Sequence, residues 1–281
     1  MEKDKPVFTD QNKVEFWDRI YDQQDYQGEN YRQRMDIALT WLDGLGLPRN
    51  SRILDVGCGA GKLLSEAASR EYSVFGMDLS FGMLEAAKRN TKRERNLVSP
   101  LLQGNIESLP LKDSSFDAVF CLGVIAYLPS EEKALYELAR VLKPGGVLVI
   151  STLNKARLVR YLDIPLLFMR VFRRMRKKIT AAWKKSTSNG YQPGLVTFLV
   201  PRMRRSLRKV GLKVLEFKSI PYDRLTFWGS EHVYPPKLAA AITRFFEQQL
   251  KVPFVESFGG MCIFMANKDF SENTGSPLRN R

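Results

Sequence analysis

Residues 52–63 read Arg-Ile-Leu-Asp-Val-Gly-Cys-Gly-Ala-Gly-Lys-Leu, and few folds accommodate such a run. An apolar, β-leaning pair, Ile53-Leu54, leads into Asp55. Glycines then alternate at Gly57, Gly59 and Gly61, before a helical pattern from Lys62 to Arg70. Strand, glycine turn and helix in that order provide the context of a nucleotide-binding turn. The backbone there must bend sharply and let a ligand approach to contact distance, which a Cβ would prevent. The spacing narrows the choice of ligand. A dinucleotide fingerprint puts its third glycine three residues after the second; here it follows after two. A P-loop needs a glycine five residues before its Gly-Lys pair and Ser or Thr after it, and those positions hold Val56 and Leu63. Phosphate cradling is therefore poorly supported, and the acid at Asp55 calls for a cation near the turn.

A second acid stands where a ribose would need it. Tyr72–Gly76 is a short β-type run ending in Met77-Asp78-Leu79, with Asp78 19 residues past Gly59. In Rossmann-type folds an acid about 20 residues beyond the glycines, at the tip of the second strand, holds the ribose hydroxyls. S-adenosylmethionine combines a ribose with an ammonium and has no phosphate. Asp-Val-Gly-Cys-Gly-Ala-Gly with Gly-Met-Asp-Leu-Ser at this distance resembles motifs I and II of the class I S-adenosylmethionine-dependent methyltransferases. Gly104–Pro110 and Leu138–Ser151 extend the likeness, so it runs nearly continuously over residues 50–153. The resemblance implies an α/β, Rossmann-like, doubly wound sheet of seven mostly parallel strands with a helical cap, and S-adenosyl-L-methionine as cofactor. It carries cofactor contact onto Asp55, Gly57, Gly59, Gly61, Asp78, Leu79, Met83, Asn105, Ile106 and Leu122. Asn105 replaces the family's usual Asp, and its amide still accepts a hydrogen bond from the adenine amino group.

Periodicity divides the rest of the chain. Val14–Tyr21 and Asn30–Gly44 are helix patterns in an N-terminal unit, 1–48, that either packs on the core or covers the cofactor; Arg32 or Arg34 would then meet the methionyl carboxylate. The core spans 49–154. Within it Ser80 caps a helix from Phe81 to Asn90, Thr91–Asn96 is a charged connector, and Ser130 caps a helix running to Leu142. Residues 201–268 complete the core, with Lys213–Ser219 and Gly259–Ala266 as the last strands, the final one antiparallel. They enclose an inserted helical part at 221–255 that opens on an aromatic loop, Pro221–Pro236. Residues 269–281 are expected to be disordered.

Residues 155–200 depart from the family pattern. Between Lys155 and Lys185 stand 11 Lys and Arg against one acid, Asp163, much of the +14 carried by the 281-residue chain. Phe168, Val171, Phe172, Met175, Ile179 and Trp183 recur at helical spacing, so this is a basic amphipathic helix. Three readings stand side by side: a lid with solvated charges, contact with an anionic membrane surface, and nucleic acid, the last disfavoured because stacking aromatics are sparse. No run approaches a membrane span and the start is charged. Cys58, Cys121 and Cys262 lie far apart without metal spacing, so no metal is expected and the thiols fit a reduced, cytoplasmic protein, with attachment to the inner membrane face as the variant.

Leu122–Leu128 falls at the end of the fourth strand, nearest the reacting methyl. It contains no Asn/Asp-Pro-Pro-Tyr and no Pro-Cys, which removes support for nucleobase amine methylation and for thiolate attack on cytosine. Methyl displacement from a sulfonium needs alignment in a dry pocket more than acid–base groups. An oxygen acceptor benefits from a base. His232, the single histidine, is the first candidate and a loop histidine in its bland reading, with Tyr127 and Tyr222 behind it. The acceptor is expected to be a hydrophobic, lipid-linked or phosphate-bearing small molecule. The alternatives are a soluble O- or N-methyltransferase, an RNA methyltransferase, and a cofactor-binding module without turnover.

Overall fold

A computed structural model of the chain describes residues 11–24, 26–95, 100–155, 197–220, 224–227, 230–233 and 260–269. Seven strands form one sheet in the order β3-β2-β1-β4-β5-β9-β6. They are β1 (Arg52–Val56), β2 (Ser73–Asp78), β3 (Leu101–Gln103), β4 (Phe116–Leu122), β5 (Leu142–Leu153), β6 (Leu212–Ile220) and β9 (Met261–Lys268). The first five run parallel, and β9 lies antiparallel between β5 and β6. A separate hairpin pairs β7 (Arg224–Phe227) with β8 (Ser230–Val233). The strand order reverses between β1 and β4, which places a crevice at their carboxyl ends.

Parallel strands covered on both faces need unbroken apolar runs rather than alternation. Val147–Ile150 and Val119–Cys121 are such runs, and all are buried. Each strand feeds both faces. Leu54, Val119, Leu148 and Phe264 join the side roofed by α5 (Glu132–Val141) and α6 (Val200–Lys209). Ile53, Phe120, Val149 and Ile263 join the side roofed by α2 (Tyr26–Gly44) and α3 (Lys62–Ala68). Fully burying a side chain of this size contributes about 1.5–3 kcal/mol, and Phe116, Phe120 and Phe264 are completely covered.

The sheet and the N-terminal helices α1 (Gln11–Arg19) and α2 follow the sequence reading, with boundaries that move for physical reasons. Helix α4 continues from Phe81 to Arg95, so Thr91–Arg95 is helix and not connector. Thr91 permits this by turning its hydroxyl back onto the Ala87 carbonyl at 2.8 Å. Ser130 is not the cap of α5: Glu131 holds that position and the Ser130 hydroxyl accepts from Glu132 N at 3.3 Å. The Glu131 carboxylate is occupied instead by both arms of Arg202, at 3.0 Å each, and by Ser206, which bolts α5 to α6. The stretch expected as an aromatic loop holds the β7–β8 hairpin, so the insert at 221–255 is not wholly helical. The chain leaves the sheet at Lys155 and returns at Phe198. These ends are clasped by Lys155 N to Phe198 O (2.8 Å) and Phe198 N to Leu153 O (2.9 Å). The basic amphipathic segment, Tyr222 and the tail from residue 270 lie outside the described residues.

Candidate functional site

The glycine turn closes β1 onto β2. Gly57 N and Cys58 N both donate to the Met77 carbonyl, at 2.7 and 3.0 Å. At Gly57, φ is +75° and a Cβ would collide with Val124 Cγ2, so this glycine answers to the β4 loop rather than to a ligand. Gly59 differs: φ is +51°, yet a Cβ would meet nothing within 4 Å. Its open side is where a ligand can lie against bare backbone. Gly61 instead abuts Ala87 of α4. The expected clash with a ligand thus resolves into two contacts with protein and one free approach.

Asp78 braces this turn. One of its oxygens accepts from Gly59 N and the other from Ser80 N, both at 2.9 Å. Burial raises its proton affinity, opposed by these backbone hydrogen bonds. A carboxylate offers about four lone-pair sites, so hydroxyl donors can still reach it. Gly104 N donates to Asp78 O (3.0 Å), bringing the Gly104–Pro110 loop alongside. In that loop Asn105 is exposed but its Oδ1 already accepts from Glu107 N at 2.9 Å, leaving one carbonyl lone pair for an adenine amine. Ile106 is buried, and so is Met83 in the first turn of α4. Leu79, 49 % exposed, is the apolar surface left open beside Asp78.

Asp55 is buried at the tip of β1, and its pKa is pushed up to about 7. Desolvation is the main cause, the charge of Asp78 adds to it, and Arg34 offsets part. The structure brings Arg34, not Arg32, to this end. Arg32 spends itself on the Tyr21 carbonyl (2.7 Å), the Gln23 carbonyl (2.6 Å) and Glu29 (2.9 Å). Arg34 is 4 % exposed, stacks over the Tyr31 ring at 4.5 Å and lies against Gly123, where Nη1 is 2.5 Å from the place a Cβ would occupy. One terminal nitrogen reaches the Tyr21 hydroxyl at 3.4 Å, while its Nε is buried without a partner. An unpaired buried donor costs about 1–3 kcal/mol. An acid and a cation buried at the same end of the sheet, close enough for Arg34 to pull on the Asp55 carboxyl, suit a zwitterionic head carrying an ammonium and a carboxylate.

Leu122 is half-buried at the end of β4, and Tyr127 closes the short helical turn Ile125–Tyr127 that follows. Burial pushes the Tyr127 phenol up to about 12, with Arg34 pulling the other way. It stays protonated at neutral pH and works as a hydrogen-bond donor, not as a base. The three cysteines are buried with thiols pushed upward by desolvation, so none is a nucleophile. His232 takes its place in β8 opposite Leu225, away from the turn in sequence, and only its backbone is described. No cluster of metal ligands occurs among the described residues.

Three features had no signal in the motifs. Tyr21 and Tyr31 frame Arg34, and Gly123 makes room for it. Asn90 of α4 donates to Asp18 of α1 at 2.6 Å and to the Ala60 carbonyl at 3.1 Å, pinning the first helix onto the glycine turn. Helix spacing displays such residues as amphipathic helix positions and says nothing of their cross-chain partners.

Residues 54–150 match the family model described as a methyltransferase domain. The chain is 37 % identical over 123 residues to a ubiquinone biosynthesis O-methyltransferase of Alkalilimnicola ehrlichii, covering 43 % of this chain and 48 % of that protein. It is 38 % identical over 109 residues to the biotin biosynthesis bifunctional protein BioHC of Cellvibrio japonicus, covering 39 % of this chain and 21 % of that one. The chain spans about half the length of the ubiquinone relatives it matches. Among solved structures, magnesium protoporphyrin IX methyltransferase from Synechocystis PCC 6803 with bound SAH superposes with a TM-score of 0.59 at 17 % identity, over 92 % of this chain and 95 % of that one. The [4+2]-cyclase SpnF gives 0.51 at 22 % identity, over 83 % and 80 %. These two likenesses establish the fold.

Proposed function

From the premise that the chain carries a class I S-adenosylmethionine-dependent methyltransferase core, we propose that it methylates a small-molecule acceptor with a large apolar part, met at an anionic membrane surface. The observation that carries the cofactor assignment is the set around the glycine turn: Asp55 and Asp78 at adjacent strand tips, with the unpaired Nε of Arg34 beside them. Asp55 receives the ammonium, Arg34 the carboxylate, Asp78 the ribose hydroxyls, and Asn105, Ile106 and Leu79 the adenine. S-adenosylmethionine, when bound, supplies a methyl group on a sulfonium, already a good leaving group. The task left to the protein is alignment and exclusion of water. Leu122, Gly123 and Val124 give that end its apolar lining, and Tyr127 offers its proton as a positioning donor.

Oxygen as the acceptor atom is supported by the O-methyltransferase names of the relatives. Since Tyr127 holds its proton, His232 and Tyr222 remain the bases to test. The membrane reading rests on the charge and apolar spacing of residues 155–200. Among the described residues no helix is long and apolar enough to cross a membrane. The test is isothermal calorimetry with S-adenosylmethionine and S-adenosylhomocysteine on wild type and Asp78→Ala. Loss of a charged acceptor for two hydroxyls should weaken binding at least tenfold, and equal affinities would overturn the assignment. Mass spectrometry of lipid and polar extracts incubated with labelled cofactor then identifies the acceptor. Binding without any S-adenosylhomocysteine formed would leave a cofactor-binding module.

A further inference from the structure

We propose that the α6–β6 edge of the folded core is itself a docking face for an anionic lipid surface. The idea rests on the membrane reading above but assigns the contact to other residues. Residues 156–209 hold 15 Lys and Arg and one acid, Asp163, so they account for the whole +14 of the chain; the remaining residues balance at 29 basic and 29 acidic. Five of those cations lie on α6, which has no acid, and the next strand adds Lys213 and Lys218 against Glu216.

Helix α6 turns Val200, Met203 and Leu207 into the core, so its charged residues have to face outward. Arg202 is held by Glu131, and Arg204 lies over the Phe217 ring at 5.1 Å. Arg205, Arg208, Lys209, Lys213 and Lys218 are exposed, and none has a carboxylate partner among the described residues. Several surface cations elsewhere are paired, Arg49 with Glu71, Lys62 with Glu66, Arg70 with Asp43, Arg140 with Asp113 and Lys143 with Asp117, and others exposed without a carboxylate partner among the described residues, such as Lys88, Arg89, Lys112 and Lys133, are spread over α4, α5 and the loop before β4. A row of unpaired cations within about one Debye length, ~8–10 Å, of an anionic leaflet adds its attractions together.

Two apolar side chains decide for lipid over a phosphate backbone. Leu199, just before α6, is 44 % exposed, and Leu215, set out by the bulge between Val214 and Glu216, is 47 % exposed. Aromatic residues for base stacking are withdrawn here: Phe198 is buried and Phe217 is roofed by Arg204. The position matters for function. Leu199 follows directly on the clasp between Lys155 and Phe198 at the carboxyl end of β5, the edge of the sheet where ligands sit. From Leu199 helix α6 runs back towards the amino ends of the strands, so Arg208, Lys209 and Lys213 lie at the far end of this face and Leu199 and Lys218 at the end nearer the ligands.

The experiment is sedimentation of the full chain with phosphatidylcholine vesicles, with and without phosphatidylglycerol, at low salt, beside a melting curve and cofactor calorimetry. Wild type should pellet only with the anionic vesicles. The triple variant Arg205→Glu, Arg208→Glu, Lys209→Glu should lose at least tenfold in vesicle partitioning with its melting point and cofactor affinity unchanged. Leu199→Ser with Leu215→Ser should lose several-fold without any change of charge. The proposal is overturned if wild type stays in the supernatant, if the triple variant pellets like wild type, or if single-stranded RNA binds more tightly than the anionic vesicles. Failure of cofactor binding in the calorimetry strikes the methyltransferase reading instead, and the two results are read separately.

Discussion

Replacing Asp55 with Asn should make the ligand-free protein more stable while destroying its affinity for cofactor. The carboxyl sits at about 7 against an ordinary 3.8, chiefly because burial disfavours its charge. A difference of about three pKa units corresponds to roughly 4 kcal/mol at ~1.4 kcal/mol per unit. The sign follows from linkage. The folded chain binds this proton more tightly than the unfolded chain, so the contribution of Asp55 to stability is greatest below pH 3.8. It is lost as pH rises towards 7, and above 7 the full cost of an ionised buried acid is present. Asn keeps the shape, carries no charge and escapes that cost. Asp55→Asn should therefore melt well above wild type at mildly alkaline pH and lose most of that advantage in acid. Wild-type cofactor affinity should fall about tenfold for each pH unit below the folded-state value, because only the ionised acid pairs with an ammonium. The assay is differential scanning calorimetry of both proteins across that range, without and with S-adenosylhomocysteine. If the variant melts no higher than wild type in alkali, Asp55 is not an ionised group buried at a cost, and its pairing with a ligand ammonium loses its physical basis.

Arg34→Gln should reduce cofactor affinity at least tenfold in calorimetry, while Arg32→Gln leaves it within about twofold and lowers the melting temperature, because Arg32 ties the Tyr21 and Gln23 carbonyls to α2. Equal losses of affinity from the two would remove the distinction. Gly57→Ala should express poorly or melt far below wild type, since both φ and Val124 oppose the new methyl, whereas Gly59→Ala should keep most of its stability and lose cofactor affinity. Circular dichroism melts and cofactor titrations on the pair distinguish a glycine demanded by the protein from one kept open for a ligand.

The cofactor half of the site was legible because its chemistry is local in sequence. Asp55, the three glycines and Asp78 sit at the tips of consecutive strands, and β1 pairs with β2 in direct register, so spacing along the chain translates into position in space. The choice between Arg32 and Arg34 was not legible in that way. They lie two residues apart on α2, and what separates them is that Arg32 faces carbonyls of the preceding turn while Arg34 faces Gly123, a residue brought there by β4. The same holds for Asn90, whose partners Asp18 and Ala60 come from two other elements. Helix α4 outran its expected end for a smaller reason: Lys92, Arg93, Glu94 and Arg95 look like a solvated connector, but charged residues are good helix formers once Thr91 satisfies its own hydroxyl. The acceptor end is not written in one such unit: Leu122–Leu128 at the end of β4 carries no acceptor motif, and the strands beyond it, β5, β9 and β6, are brought together over more than a hundred residues of chain. On β5, Ser151 and Thr152 are buried with hydroxyls that have no partner. Their meaning depends on what lies against the sheet edge and not on any spacing. A motif that closes within one strand–turn–helix unit names its ligand, and an acceptor end without such a motif is named only when the acceptor is found.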